Sequence, residues 1–319
     1  MTDARTPLIT APGAYSDISN WDYHRNPHLL PDFSLSASGA KTILSRSLFH
    51  FWADSPMNPN RPKDSDKPHF VEGRAAHDLL LLPDQWGNLY HVTPAGFSRA
   101  ATKRWAEAIE AVEYAESRGK SILSHSQHQK VLAMADAIGL QSVARNALSN
   151  GEAEVTIVWQ DKETGVWLRC RPDWLPHPVI QGADVRVVTD LKFMAPEYCS
   201  PAGFSSAIDR FGYHLAAAFY FEGIKHAYGK EPTHWLHLVV EKEFPYSVSL
   251  YPLPAADIER GKHQMRMAVT RFAEALSADK WPSYADEPTE VGLPGWARKT
   301  IDQFGSRQDA ALINATSGE

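Results

Sequence analysis

The stretch "EAEVTIVWQDKETGVWLRCRPDW", residues 152–174, changes the grammar of the chain. Ahead of it, residues 101–118 and 125–149 are Ala-rich, with apolar residues three and four apart, the spacing of helices. Inside it, apolar and polar residues alternate on both sides of "DKETG", a turn, and the pattern predicts a β-hairpin. The β-branched run "ADVRVVTDLKF", residues 183–193, reads as a third strand. Side chains alternate faces along a strand. Counting by twos from Asp173 puts Arg171, Arg169 and Trp167 on one face, with Cys170 and Leu168 on the other. In the first strand Glu152, Glu154 and Thr156 share a face, against Val155, Ile157 and Trp159. Asp190 and Lys192 share a face of the third strand, and Leu191 points into the opposite layer. If the three strands are neighbours, Glu154, Asp173, Asp190 and Lys192 converge on one patch.

Clustered carboxylates repel one another unless a cation compensates them. Oxygen ligands with open positions suit Mg²⁺ or Mn²⁺. Such an ion lowers the pKa of a bound water and stabilises charge on a phosphate. A lysine beside it holds the attacking water or neutralises developing negative charge. Phosphodiester hydrolysis needs this set of functions. Asp-x-Lys alone is a common accident, and a solvated strand end explains it equally well. An Asp closing one strand followed by an Asp-x-Lys closing the next is a more specific pattern.

Outward from the strands, residues 1–33 carry Pro, Asn, Asp and aromatics without a period and read as an irregular arm. "SLSASGAKTILSRSLFHFW" opens a helix capped by Ser36 or Ser38. "ADSPMNPNRPKDSDKP" is a loop, and "HFVEGRAAHDLLLL" is a short helix. "PAGFSSAIDRFGYHLAAAFYFEGIKHAYG" is helical and aromatic, and "THWLHLVVEK" and "YSVSLYPL" are two more strands. "AADIERGKHQMRMAVTRFAEALSA" is a long amphipathic helix. The order predicts an α/β or α+β architecture, a mixed sheet flanked by helices. We divide the chain into the arm 1–33, a domain 34–280 with a helical insertion 99–149, and a C-terminal extension 281–319.

The net charge of −6 argues against a global basic field, although a groove can confine positive charge within an acidic exterior. The two cysteines, Cys170 and Cys199, supply neither a disulfide framework nor the four thiolates of an iron–sulfur cluster, so no such cluster is expected. There is no signal-like or membrane-spanning apolar run, and the reading is a soluble cytoplasmic protein.

Four stretches together resemble the PD-(D/E)XK nuclease superfamily, in particular its exonuclease VIII-like, RecE-type branch. They are "YHRNPHLLPDFSLSASGAKTILSRSLFHFW", "FVEGRAAHDLLL", "CRPDWLP" followed by "VVTDLKFM", and "AIDRFGYHLAAAFYFEGI". The likeness runs over residues 23–275. It implies a restriction-endonuclease-like core with an N-terminal helical extension. It implies that His77, Asp173 and Asp190 ligate Mg²⁺, with Mn²⁺ substituting, that the backbone carbonyl of Leu191 assists, and that Lys192 positions the water. Glu154 is a supporting acid or a surface charge. His77 stands four residues after Gly73 and before a Leu run, which favours a ligand over a packed helix histidine.

Ser36, Ser38 and Lys41 present groups to a terminal phosphate, or are a helix cap and a surface lysine. Arg171 is a phosphate contact or a plain strand charge. Tyr213 and Tyr220, seven apart, line a cleft or pack the core. Arg99, Lys103 and Arg104 form a basic edge that tracks DNA or faces solvent. One position departs from the family: Ala216 stands where a Gln is usual, and an alanine cannot hydrogen-bond a phosphate.

The resemblance implies a Mg²⁺-dependent exonuclease on double-stranded DNA ends, working 5′ to 3′ in phage or prophage recombination. A homo-oligomer, ring-like in the family, and a single-strand annealing protein as partner are implied with it. Two alternatives stand beside this reading: a defence, repair or structure-specific nuclease of the same fold, and a decayed relative that binds DNA or protein.

Overall fold

A computed structural model describes residues 6–62, 68–177, 187–285 and 287–304. The chain divides into two units, Met1–Trp281 and Pro282–Glu319. The expected α/β class holds: helices flank mixed sheets.

The hairpin forms, but its arms belong to two sheets. Thr156–Gln160 pairs antiparallel with Trp167–Cys170, Ile157 opposite Cys170. The turn between them is fixed by Asp161, whose carboxylate accepts from the Thr164 N–H at 2.9 Å and hydroxyl at 2.7 Å. Arg266 of the long helix Ala255–Ala278 grips the same carboxylate with two parallel bonds of 2.8 and 3.0 Å. Beyond the hairpin both arms cross into a second sheet. There Gly151–Ala153 pairs with Trp174–Pro176, Glu152 opposite Leu175. Glu154 and Asp173 occupy the crossing. Glu154 takes the left-handed backbone, φ 55°, and its N–H donates to the Asp173 carbonyl at 3.3 Å. A bend of this kind lets a strand change sheets. It also resets the alternation of faces, so the expected common face of Glu152, Glu154 and Thr156 does not exist.

The first sheet runs Gly13–Tyr15, Thr156–Gln160, Trp167–Cys170, Ser34–Ser36. The arm, expected to be irregular, thus contributes a strand and also the helix Asn20–Arg25. Three residues pairing with a distant strand leave no periodic signature. The second sheet runs Val248–Pro252, His234–Glu241, Val187–Met194, Trp174–Pro176, Gly151–Ala153. Its two longest strands are parallel, with His237 opposite Asp190. Of the expected third strand, residues 183–186 lie outside the described residues.

Helices Ala37–Ser45, Tyr213–Tyr228 and Ala255–Ala278 cover the first sheet, with Leu35, Ile157, Trp159, Leu168, Phe219 and Phe272 buried between. Helices Pro68–Leu81 and His125–Leu140 cover the second through Ala75, Ala76, Val131, Met134, Leu191 and Leu238. Burial of such side chains contributes about 1.5–3 kcal/mol each before chain entropy is counted. The aromatic segment is two helices, Pro201–Phe211 and Tyr213–Tyr228, because Gly212 adopts the left-handed conformation, φ 62°. That conformation caps the first helix and aims the second anew.

Candidate functional site

Asp173 sits where the two sheets meet, and its two oxygens face different partners. Oδ2 accepts from the backbone N–H of Leu191 at 2.8 Å and lies 3.8 Å from the Lys192 ammonium. Oδ1 lies 3.5 Å from His77 Nε2. Glu154, delivered by the adjacent bend, puts Oε1 3.8 Å from the same nitrogen. His77 comes from the helix Pro68–Leu81. That helix approaches the Asp-x-Lys strand through Gly73, where an added Cβ would stand 3.3 Å from Phe193 Cβ. The spacing Gly73 to His77 therefore has a geometric basis: one turn after the close contact, the imidazole reaches the carboxylates.

The ligand atoms of His77, Glu154 and Asp173 all lie within 4.8 Å of one another. No other group of this kind occurs among the described residues. One imidazole nitrogen and two carboxylates, half-buried, match the donor set of a divalent cation such as Mn²⁺ or Mg²⁺. Their charges are already strained. Burial pushes the Glu154 carboxyl up, the Asp173 charge adds to it, and together they bring it to about 7. Burial alone would push His77 down, but the Asp173 and Glu154 carboxylates outweigh it and raise the imidazole to about 10. The proton on His77 is thus a counter-charge that both acids share, beside Lys192 on Asp173 and Arg171 on Glu154.

Asp190 lies in a different contact. Its Oδ2 is 2.6 Å from Lys192 Nζ and 3.7 Å from His237 Nδ1. Burial pushes the Asp190 carboxyl up, to about 6, against the pull of Lys192. Burial opposes the Lys192 charge, yet Asp190 and Asp173 hold the ammonium well above its ordinary range. Against the same burial, Lys192 and His77 hold Asp173 well below the usual carboxylate range. The Leu191 carbonyl accepts from Lys192 Nζ at 3.3 Å. The structure therefore brings Asp173 together with both groups and places Asp190 and the Leu191 carbonyl on the lysine side.

Lys41 joins this side: its Nζ and that of Lys192 each lie 5.4 Å from the centre of the Tyr213 ring. Burial, then the neighbouring Lys192, lower the Lys41 ammonium to about 8. Ser36 is the helix cap, accepting from the Gly39 N–H at 3.2 Å, with Ser38 Oγ 3.0 Å away. Ser36, Ser38, Lys41 and Tyr220 line a cleft of about 920 Å³ that opens from His77, Glu154 and Asp173. The arm segment 16–21 also lines it, including Trp21, which is 63% exposed.

Arg171 is buried and bonded to Thr156 and to the arm, which leaves little of it for a phosphate. Ala216 lies in the core. Arg99, Lys103 and Arg104 precede the helix Ala106–Ser117 rather than starting it, and they are exposed. Sequence reasoning missed Asp78, whose Oδ1 is 3.4 Å from His77 Nδ1 and whose Oδ2 accepts from the Tyr90 hydroxyl at 2.7 Å. A carboxylate there fixes the orientation of the imidazole. Its one signal was an acid directly following a candidate ligand histidine.

Comparison with known proteins places the family and the fold. Residues 58–290 match the family described as "PDDEXK-like domain of unknown function (DUF3799)". The fold is similar to the crystal structure of a "putative exonuclease" from Eubacterium rectale, with a TM-score of 0.54 and 11% identity over 82% of this chain and 91% of that one. No curated protein matches the sequence. An Asp at a sheet crossing, an Asp-x-Lys on the neighbouring strand and a match over most of the chain lead to one conclusion: the protein belongs to the PDDEXK-like DUF3799 family and carries a nuclease-like domain of that superfamily.

Proposed function

We propose that the protein is a divalent-metal-dependent exodeoxyribonuclease acting on the ends of double-stranded DNA. The observation that carries the reading is the convergence of His77, Glu154 and Asp173 within 4.8 Å, beside a lysine 3.8 Å from Asp173. His77, Glu154 and Asp173 would hold the cation, Mg²⁺ with Mn²⁺ able to replace it. When bound, it supplies Lewis acidity and a low-pKa water. Asp190 holds the Lys192 ammonium in place, so that its N–H groups are aimed at the water or at a non-bridging phosphate oxygen. Lys41 adds a second positive charge for the phosphate. In hydrolysis the water oxygen bonds to phosphorus and the ester P–O bond breaks. The water proton leaves to solvent and the departing sugar oxygen takes up another.

Preference for an end is supported by a second cavity of about 230 Å³ beside the cleft, with Ser36 and Ser38 on the shared wall. Arg25, Arg61 and Arg169 line it with Asp32 and Asp54, a net positive lining that suits a terminal phosphate in an otherwise acidic protein. Work in phage or prophage recombination, a single-strand annealing partner and a homo-oligomer follow from the family resemblance and belong to the same proposal. So does a cytoplasmic location; among the described residues no helix is long and apolar enough to cross a membrane.

The test is degradation of linear duplex in Mg²⁺ and Mn²⁺, with closed circular duplex as control. Activity on the linear form alone, abolished by chelator and by Asp173→Ala, is expected. Equal cleavage of both forms removes the exonuclease assignment; no cleavage of either, with a silent Mn²⁺ titration, removes the nuclease reading.

A further inference from the structure

The arm segment that lines the cleft is bonded to a buried side chain that also faces the cation site. The Arg171 side chain is 5% exposed. Its Nε donates to Thr156 Oγ1 at 2.9 Å, and Nη2 donates to the same hydroxyl at 2.7 Å and to the Ile18 carbonyl at 2.6 Å. The Ser19 carbonyl lies 3.4 Å from Nη2, and the Tyr23 ring covers the guanidinium at 4.4 Å. Two of its three nitrogens are therefore committed to Thr156 and the arm. The third, Nη1, faces Glu154 Oε2 at 3.6 Å.

We propose that Arg171 is a positioning residue for the cation site: it holds the Glu154 carboxylate toward His77 and Asp173, and so makes cation affinity depend on the docked arm segment Ile18–Ser19. The inference rests on the nuclease reading above. Glu154 needs such a hold. It sits at a left-handed bend, outside any regular strand, on a long side chain with much rotamer freedom to lose. Left alone, it would turn from Asp173 toward solvent, since two carboxylates at close range repel. A guanidinium answers the need because it keeps its charge when buried and serves several acceptors in fixed directions. Thr156, fully buried, orients it from the strand side. The arm carbonyls orient it from the cleft side, where substrate would lie against the same segment. Ordering of the arm by a DNA strand and ordering of Glu154 are thereby one event.

The experiment is Mn²⁺ calorimetry on the full chain, with wild type, Arg171→Met, Arg171→Lys, Glu154→Gln and the Arg171→Met/Glu154→Gln double variant. Arg171→Met is expected to weaken Mn²⁺ binding about 10- to 100-fold, the usual cost of losing a group that orients a ligand. Arg171→Lys recovers only part of this, because one ammonium cannot span Thr156, the arm and Glu154. In the Glu154→Gln background the Arg171 change is expected to cost less than about threefold, which a merely structural role would not predict. Wild-type affinity in Arg171→Met, or an equal loss with and without Glu154, overturns the proposal. A wild-type protein that binds no Mn²⁺ overturns the cation site itself, a separate result. Should Arg171→Met fail to fold, Thr156→Val is used. A several-fold loss that vanishes without Glu154 supports the proposal, and unchanged affinity overturns it.

Discussion

Two clusters meet at Asp173 and solve the same electrostatic problem in opposite ways. On the lysine side, the buried Asp190 carboxylate pairs with Lys192 at 2.6 Å, with His237 behind it. Burial pushes the His237 imidazole down to about 3, so it stays neutral and the pair is self-sufficient. On the histidine side, Glu154 and Asp173 face one imidazole at 3.8 and 3.5 Å and open onto the cleft. The cation they share from the chain is a removable proton on His77, with Lys192 3.8 Å from Asp173 and Arg171 3.6 Å from Glu154 on their outer sides. The first cluster brings its own charge; the second opens onto the cleft with a donor set that a divalent cation would complete. Asp173 belongs to both, one oxygen to each, so that a change on either side is felt on the other.

The largest effect expected from breaking this arrangement is at the shared residue. Asp173→Asn removes half the negative charge facing His77 and disturbs the Leu191 and Lys192 contacts. Duplex degradation should fall by about 10³-fold or more. Lys192→Met comes next. It leaves Asp190 buried without its partner, so urea unfolding should show a loss of about 3–5 kcal/mol together with a rate loss of about 10²-fold. A variant as stable as wild type would show that the lysine side is not self-sufficient.

Asp190→Asn separates the two clusters most sharply. If the cation belongs to the histidine side, calorimetry should find Mn²⁺ affinity reduced less than about tenfold, against more than 100-fold for Asp173→Asn. Equal losses would make Asp190 a ligand, as the family resemblance implies, and would require Lys192 to give it up.

The smallest effect is in protons. Cation binding must displace the proton from His77, held to about 10, so Mn²⁺ binding should tighten as pH rises toward that value. Near pH 8 about one proton should be released per ion. Near pH 6 the release should approach two, since Glu154 titrates at about 7. Calorimetry in buffers of different ionisation heat measures this. A pH-independent affinity would mean that His77 is not a ligand.

Much of this was legible before any coordinates. The Asp-x-Lys strand, the hairpin, the cap at Ser36 and the long helix Ala255–Ala278 follow local rules of period and capping, and all four form. The crossing between sheets was not legible. It turns on Glu154 adopting φ 55° without being a glycine, and alternation carries no mark where one sheet ends and another begins. The burial of Arg171 was hidden for a related reason. Its partners, the carbonyls of Ile18 and Ser19, lie more than 150 residues away and have no side-chain signature. That Asp173 also reaches Lys192 was equally a question of tertiary contact, since Asp173 stands just before the strand Trp174–Pro176 while Asp190 lies within Val187–Met194, two residues from the lysine.

The backbone at Glu154 bears on how relatives of this chain can be read. A left-handed residue with a Cβ costs about 1–2 kcal/mol that glycine does not incur. Drift unconstrained by chemistry would therefore replace this glutamate with glycine and gain a sturdier bend. If Glu154 serves the proposed cation site, a family member with glycine aligned here should have a sturdier bend and a weaker hold on the ion, and an acid kept at this position is kept against the preference of the backbone.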